Sequence, residues 1–247
     1  MKILSYNIHH CSQAKIDTVL SKGADILVLP ECACPEQVNL PKDYEMTWVG
    51  EYDFKGLGVV WKKTVKCTVA PWADMAHKYM IPLIIEDKWL LLAAWPIVLP
   101  EVKKSYPQIL LEALKAYSEH IKKMPTMITG DFNCYIGQGG VNKQTGTFEQ
   151  CIEYMQELGL HSEYHQRTHE AFGKESICTY HHRFKDDWTF FIDYTFTNIP
   201  LSAFMVGDWD KDMSDHSPQI IVIKTKMVYY SRVAHHLCFY SNLKGRM

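Results

Sequence analysis

Several common signatures are missing from this chain, and each absence narrows what it can be. There is no surplus of positive charge: 26 basic and 28 acidic residues leave a formal charge of −2. No general electrostatic attraction to polyanions follows, so affinity for nucleic acid would have to come from a local patch or a bound metal ion. No stretch approaches the ~20 apolar residues of a membrane span. The opening MKILSYNIHH has one lysine and no apolar segment of signal-peptide length. A soluble, cytoplasmic protein with no membrane association is expected. Eight cysteines are present without a pair of CxxC motifs, and in such a chain they are expected to be free, mostly buried thiols. The histidine pairs at 9–10, 181–182 and 235–236 are read as separate surface or core residues rather than zinc ligands. Repeats, low-complexity blocks and linkers are absent too.

What is present suits a folded domain. The chain is 47% hydrophobic and 22% charged, enough apolar surface to offset chain entropy. At 247 residues it exceeds the usual domain of roughly 100–200, but single α/β sandwiches reach about 250. One domain over residues 1–226 is expected, with 227–247 as a C-terminal extension packed on it or on a partner.

Periodicity places the elements. Residues 2–6 alternate as a strand ending at Asn7, and 14–22 carry Ile16, Val19 and Leu20 at helical spacing before Gly23. The run Ile26-Leu27-Val28-Leu29 has the length and branching of a fully buried strand, and it delivers Glu31. Further strands are expected at 46–49, 58–62, 81–85, 89–95, 126–129, 177–180, 190–197, 204–206 and 219–224, and helices at 107–121 and 148–158. Strands arriving in two groups separated by helices suit two packed sheets with helices outside.

Polar residues recur at strand ends: Asn7, Glu31, the pair Asp131 and Asn133, and Asp193 together with Asp215 and His216. Any one alone commonly just caps a turn. Together they supply the carboxylate and amide oxygens that hard divalent cations select. A histidine flanked by carboxylates is kept protonated more readily, which suits it to hold phosphate.

These residues resemble the endonuclease/exonuclease/phosphatase superfamily. The likeness rests on Ser5-Tyr6-Asn7-Ile8, Leu29-Pro30-Glu31, Gly130-Asp131-Phe132-Asn133, Ile192-Asp193-Tyr194 and Ser214-Asp215-His216-Ser217-Pro218, in the family's order and over nearly the whole chain. It implies a small, divergent member of bacterial type with a DNase I-like fold: a four-layer α/β sandwich of two mixed sheets packed face to face. Glu31 would then be the principal ligand of Mg²⁺ or Mn²⁺, with Asn7 and Asp215 on the metal side. Asp131 would orient or deprotonate water, Asn133 would hold phosphate, and His216 would bind the scissile phosphate with Asp193 as its partner.

Two positions depart from the family. His9 stands where an acidic residue is frequent, and Trp95 where many members have a histidine. Tryptophan carries no positive charge. The leaving-group role then falls to the metal, Tyr180 or His181, and His9, Trp95, Tyr180 and His181 are expected to line the substrate site. The expected activity is metal-assisted in-line attack of water on a phosphodiester, as a nuclease or nucleotide phosphodiesterase. A phosphomonoesterase, or a binding module of the same fold without turnover, is the alternative. Oligomeric state is left open.

Overall fold

The strands in the centre of the molecule are apolar on both faces because both faces are covered, and that double covering defines its layers. The computed structural model describes residues 1–98, 103–144 and 146–224; the expected extension at 227–247 lies outside them. Strands β1 (Lys2–Ser5) and β2 (Ile26–Cys32) run parallel, joined through helix α1 (Gln13–Ser21). Ser12 caps α1 by accepting from the Lys15 N–H. Strands β3 (Tyr44–Tyr52) and β4 (Lys55–Lys62) form a hairpin. β5 (Cys67–Val69), β6 (Met80–Ile85) and β7 (Trp89–Ala94) follow as an antiparallel meander.

Helix α2 (Tyr106–Ile121), with Pro107 in its first turn, leads to β8 (Thr126–Asp131). Helix α3 (Phe148–Glu157) opens on a capping box between Thr147 and Gln150. The short β9 (His161–Ser162), α4 (Glu163–Thr168), β10 (Tyr180–His181) and β11 (Thr189–Phe190) come next, then β12 (Asp193–Thr197), β13 (Leu201–Val206) and β14 (Gln219–Ile223).

Two six-stranded sheets result, ordered β13-β14-β1-β2-β4-β3 and β5-β6-β7-β8-β12-β9. Each is mixed: β1 and β2 are parallel in the first, β7 and β8 in the second. Ile3, Ile26, Val28, Val59 and Ile221 of the first sheet meet Leu83, Leu91, Ala93 and Met127 of the second in one buried core. The alternate residues Leu4, Leu27 and Leu29 pack with Ile16 and Val19 of α1. On the far side Leu90, Leu92 and Ile128 pack under Leu110, Leu114 and Phe148 of α2 and α3. Four layers, helix, sheet, sheet and helices, are thus stacked as expected.

Some local expectations differ. Residues 177–180 form only the start of a two-residue strand, and 190–197 divide into β11 and β12, because Thr179 accepts hydrogen bonds from the N–H groups of both Ile192 and Asp193 and turns the chain there. β5, β9 and α4 had too few residues to show a period.

Candidate active site

All the strand-terminal groups gather at one end of the sandwich. Asn7 lies just past β1, Glu31 in the last turn of β2, and Asp131 at the end of β8. β12 runs antiparallel to β8, with Asp193 opposite Asp131, and β14 antiparallel to β1, with Gln219 opposite Ser5. The opposed directions bring the starts of β12 and β14, with Asp215 and His216 before the latter, to the ends of β1 and β8.

Local backbone features aim the side chains. A bulge between Pro30 and Cys32 turns Glu31, whose φ is +61°. Gly130 has φ +148°, and a Cβ there would stand 1.9 Å from the Ala94 carbonyl oxygen. Only glycine lets β7 and β8 approach this closely before Asp131. Asn133, at φ +52°, donates its backbone N–H to Asp131 Oδ1 at 2.9 Å and its side-chain amide to the Pro96 carbonyl at 3.1 Å.

The groups form a continuous line of contacts. Asn7 Nδ2 donates to Asp131 Oδ2 at 3.0 Å and to Glu31 Oε1 at 3.4 Å, while its Oδ1 accepts the His9 N–H. His216 Nε2 is 3.9 Å from Asp131 Oδ2, beyond hydrogen-bond length, and its Nδ1 is 2.8 Å from Asp193 Oδ2. Asp131, Asp193 and His216 are nearly inaccessible to water. Burial pushes the Asp131 carboxyl up to about 7, with the charge of Asp193 adding and that of His216 opposing. Burial alone would lower His216, but Asp193 and Asp131 outweigh it and raise the imidazole to about 9. A protonated imidazole thus faces an acid poised near neutrality.

One ligand atom from each of Asp131, Asp193 and His216 also lies within 4.8 Å of the others, close enough to hold a cation. The His216–Asp193 hydrogen bond already uses one nitrogen and one oxygen of that set. Glu31, Asn7 and Asp215 offer the oxygen-rich chemistry that a hard divalent cation takes. Beside them His9 Nδ1 lies 3.3 Å from Asp215 Oδ1 and 3.9 Å from Glu31 Oε2, and Lys55 Nζ 3.1 Å from Glu31 Oε2. The donor set fits such a cation, with the His9 imidazole beside its carboxylates.

The remaining candidates divide. The Tyr180 ring lies 4.7 Å from that of His216, and burial raises its hydroxyl to about 12. His181 turns elsewhere: its ring stacks 3.5 Å from Trp209 and its Nε2 lies 3.3 Å from Cys178 Sγ, although its N–H donates to the Asp215 carbonyl. Trp95 is buried edge-on to Tyr79, with Lys55 over its ring at 5.7 Å.

Sequence reading missed four supporting residues. Lys55 reaches Glu31 only because β4 pairs with β2, Gly56 opposite Cys32, and no local pattern marks it. Thr179 accepts the two N–H groups at the start of β12. Ser214 donates to the Asn7 carbonyl at 2.6 Å and accepts the His216 N–H. Gln219 donates to the Asp193 carbonyl. The conspicuous Ser-Asp-His motif was the available signal for Ser214.

No protein-family model and no curated protein sequence matches the chain. Solved structures do. The endonuclease domain of TRAS1, a telomere-specific non-LTR retrotransposon, superimposes with a TM-score of 0.64 at 14% identity, over 92% of this chain and 99% of that one. A 3'-5' exonuclease from Neisseria meningitidis gives 0.62 at 17%, over 90% and 99%. An AP endonuclease from Archaeoglobus fulgidus gives 0.64 at 15%, over 90% and 99%. The chain has the DNase I-like α/β sandwich fold of these nucleases.

Proposed function

We propose that this fold and site hydrolyse phosphodiester bonds with a divalent cation, as a nuclease or nucleotide phosphodiesterase. The observation that carries the reading is the line of contacts Glu31–Asn7–Asp131–His216–Asp193, buried beyond Glu31 and drawn from both sheets to one end of the sandwich. Mg²⁺ or Mn²⁺ would be held by Glu31 with Asn7 and Asp215, and supplies positive charge to the phosphoryl oxygens.

The chain's own residues do the rest. Asp131, oriented by the Asn133 N–H and the Asn7 amide, aligns the attacking water and takes its proton, a task suited to an acid near 7. His216, held in one orientation by Asp193, donates from Nε2 to a phosphoryl oxygen and offsets charge that develops there. Tyr180, whose ring lies beside that of His216, would supply its hydroxyl to the departing oxygen. Asn133 holds phosphate from the turn that follows Asp131. No covalent enzyme intermediate is needed.

The test is a panel of single-stranded DNA, duplex DNA, RNA, cyclic dinucleotides and phosphomonoesters with Mg²⁺ and Mn²⁺. Diester cleavage is expected, with Asp131→Asn and His216→Ala each reducing the rate by roughly 10²-fold or more. Parental rates in both variants would assign the activity to another site, and binding without turnover throughout would leave a non-catalytic module.

A further inference from the structure

Two aromatic surfaces border the site, and, Tyr180 apart, their rings take no part in the chemistry above. One begins at His216. The Tyr180 ring lies 4.7 Å from it, the Tyr180 hydroxyl is 2.9 Å from His182 Nδ1, and the His182 ring is 4.1 Å from that of Trp188. Trp188 is 44% exposed at the open end of this series.

The other begins at Glu31. Lys55, which pairs with it, closes a hairpin whose tip carries Tyr52 and Phe54, stacked with centroids 5.6 Å apart and planes at 20°. They are 61% and 59% exposed. Trp48 braces this hairpin. Its ring crosses Gly50 and Gly56, where any Cβ would overlap it, and its Nε1 donates to the Cys32 carbonyl at 2.9 Å. The Cys34 N–H donates to the Asp53 carbonyl at 2.7 Å. Tyr52 and Phe54 therefore keep a set position relative to Glu31.

Charge selects the occupant. Asp186 and Asp187 adjoin Trp188, and Lys211 is engaged by Asp186 at 3.3 Å. Among the described residues, the cations of this rim, Arg183, Lys185 and Lys211, are interspersed with Asp186 and Asp187 and form no continuous cationic track for the paired backbones of a duplex. The rim offers π faces at the two ends of a phosphate-handling line, with Lys185 over the Trp188 ring at 5.9 Å. Bases in a duplex stack on each other and present only their edges, whereas unpaired bases have free faces that aromatic side chains bind without regard to sequence.

We infer that Trp188 with His182, and Tyr52 with Phe54, stack the unpaired bases on either side of the scissile phosphate, so that the substrate is a single-stranded polynucleotide. This rests on the phosphodiesterase reading for its orientation, but its test does not need turnover.

Tryptophan fluorescence and anisotropy titrations of the Asp131→Asn protein with Mg²⁺ would use a short single strand of DNA, the matching RNA, the same sequence as duplex, and a mononucleotide. The single strands are expected to bind at least about tenfold more tightly than the duplex or the mononucleotide, and to quench tryptophan emission. Trp188→Ala, and Tyr52→Ala with Phe54→Ala, are each expected to weaken binding roughly tenfold, and Trp188→Phe to retain most of it. These side chains are exposed, and unchanged thermal unfolding would confirm that the variants fold. Equal affinity for single strand and duplex, no binding of any strand, or alanine variants that bind like the parent would each overturn the inference. Ring variants that weaken binding while no substrate is cleaved would sink the hydrolase reading and leave the stacking surfaces standing.

Discussion

His216 Nδ1 lies 2.8 Å from Asp193 Oδ2 with both side chains buried, so the imidazole is fixed in orientation and keeps its proton well above the usual histidine range. With the folded value at about 9 against an ordinary 6.5, proton binding stabilises the fold fully below pH 6.5. That contribution is lost as the pH rises through about 9. Hydrolysis should rise as Asp131 ionises near 7 and fall above about 9, the two groups titrating as a pair. Rate profiles of the parent and His216→Gln decide this: the variant should lose the alkaline limb, and an alkaline limb that persists in it would remove His216 from that role.

Thr179 is expected to act by positioning. Thr179→Val removes the acceptor from the buried N–H groups of Ile192 and Asp193, at a cost of roughly 2–4 kcal/mol for the two. It should also lower kcat more than it raises KM, because Asp193 then holds His216 less firmly. Urea unfolding and steady-state rates measure both effects, and Thr179→Ser should restore much of each.

Trp95→His would place an imidazole where Trp95 stands, yet no gain in rate is expected. Trp95 packs in the inter-sheet core, and the smaller polar ring would leave a poorly filled space costing on the order of 3 kcal/mol. A urea midpoint equal to the parent's would show that the position tolerates imidazole after all.

Gly130→Ala should be among the most damaging single changes. Its Cβ would fall 1.9 Å from the Ala94 carbonyl oxygen, forcing β7 and β8 apart directly before Asp131. A loss of more than about 3 kcal/mol, or failure to accumulate as soluble protein, is expected. Circular dichroism during chemical unfolding would test it, and near-parental stability would contradict the close approach.

The layers were legible because doubly covered strands leave continuous apolar runs such as Ile26–Leu29, and amphipathic helices leave periods such as that of α2. The candidate site was legible where a polar residue ended such a run, as Asn7, Glu31 and Asp131 do, whereas Asp193 opens β12. Lys55 and Thr179 were not, since their importance arises from register, Gly56 against Cys32, and from a turn meeting β12 across the fold. His181 and Tyr180 are adjacent on strand β10 and point to opposite faces, so His181 stacks on Trp209 while Tyr180 faces His216.

Glu31 and Asn7 come from one sheet and Asp131 and Asp193 from the other, joined across the interior by the Asn7–Asp131 hydrogen bond. Neither half is a functional unit, so turnover becomes a reporter of docking. A folding intermediate with a single formed sheet would be silent, and loosening the interior at Leu91, packed between the sheets, should silence it before the chain unfolds.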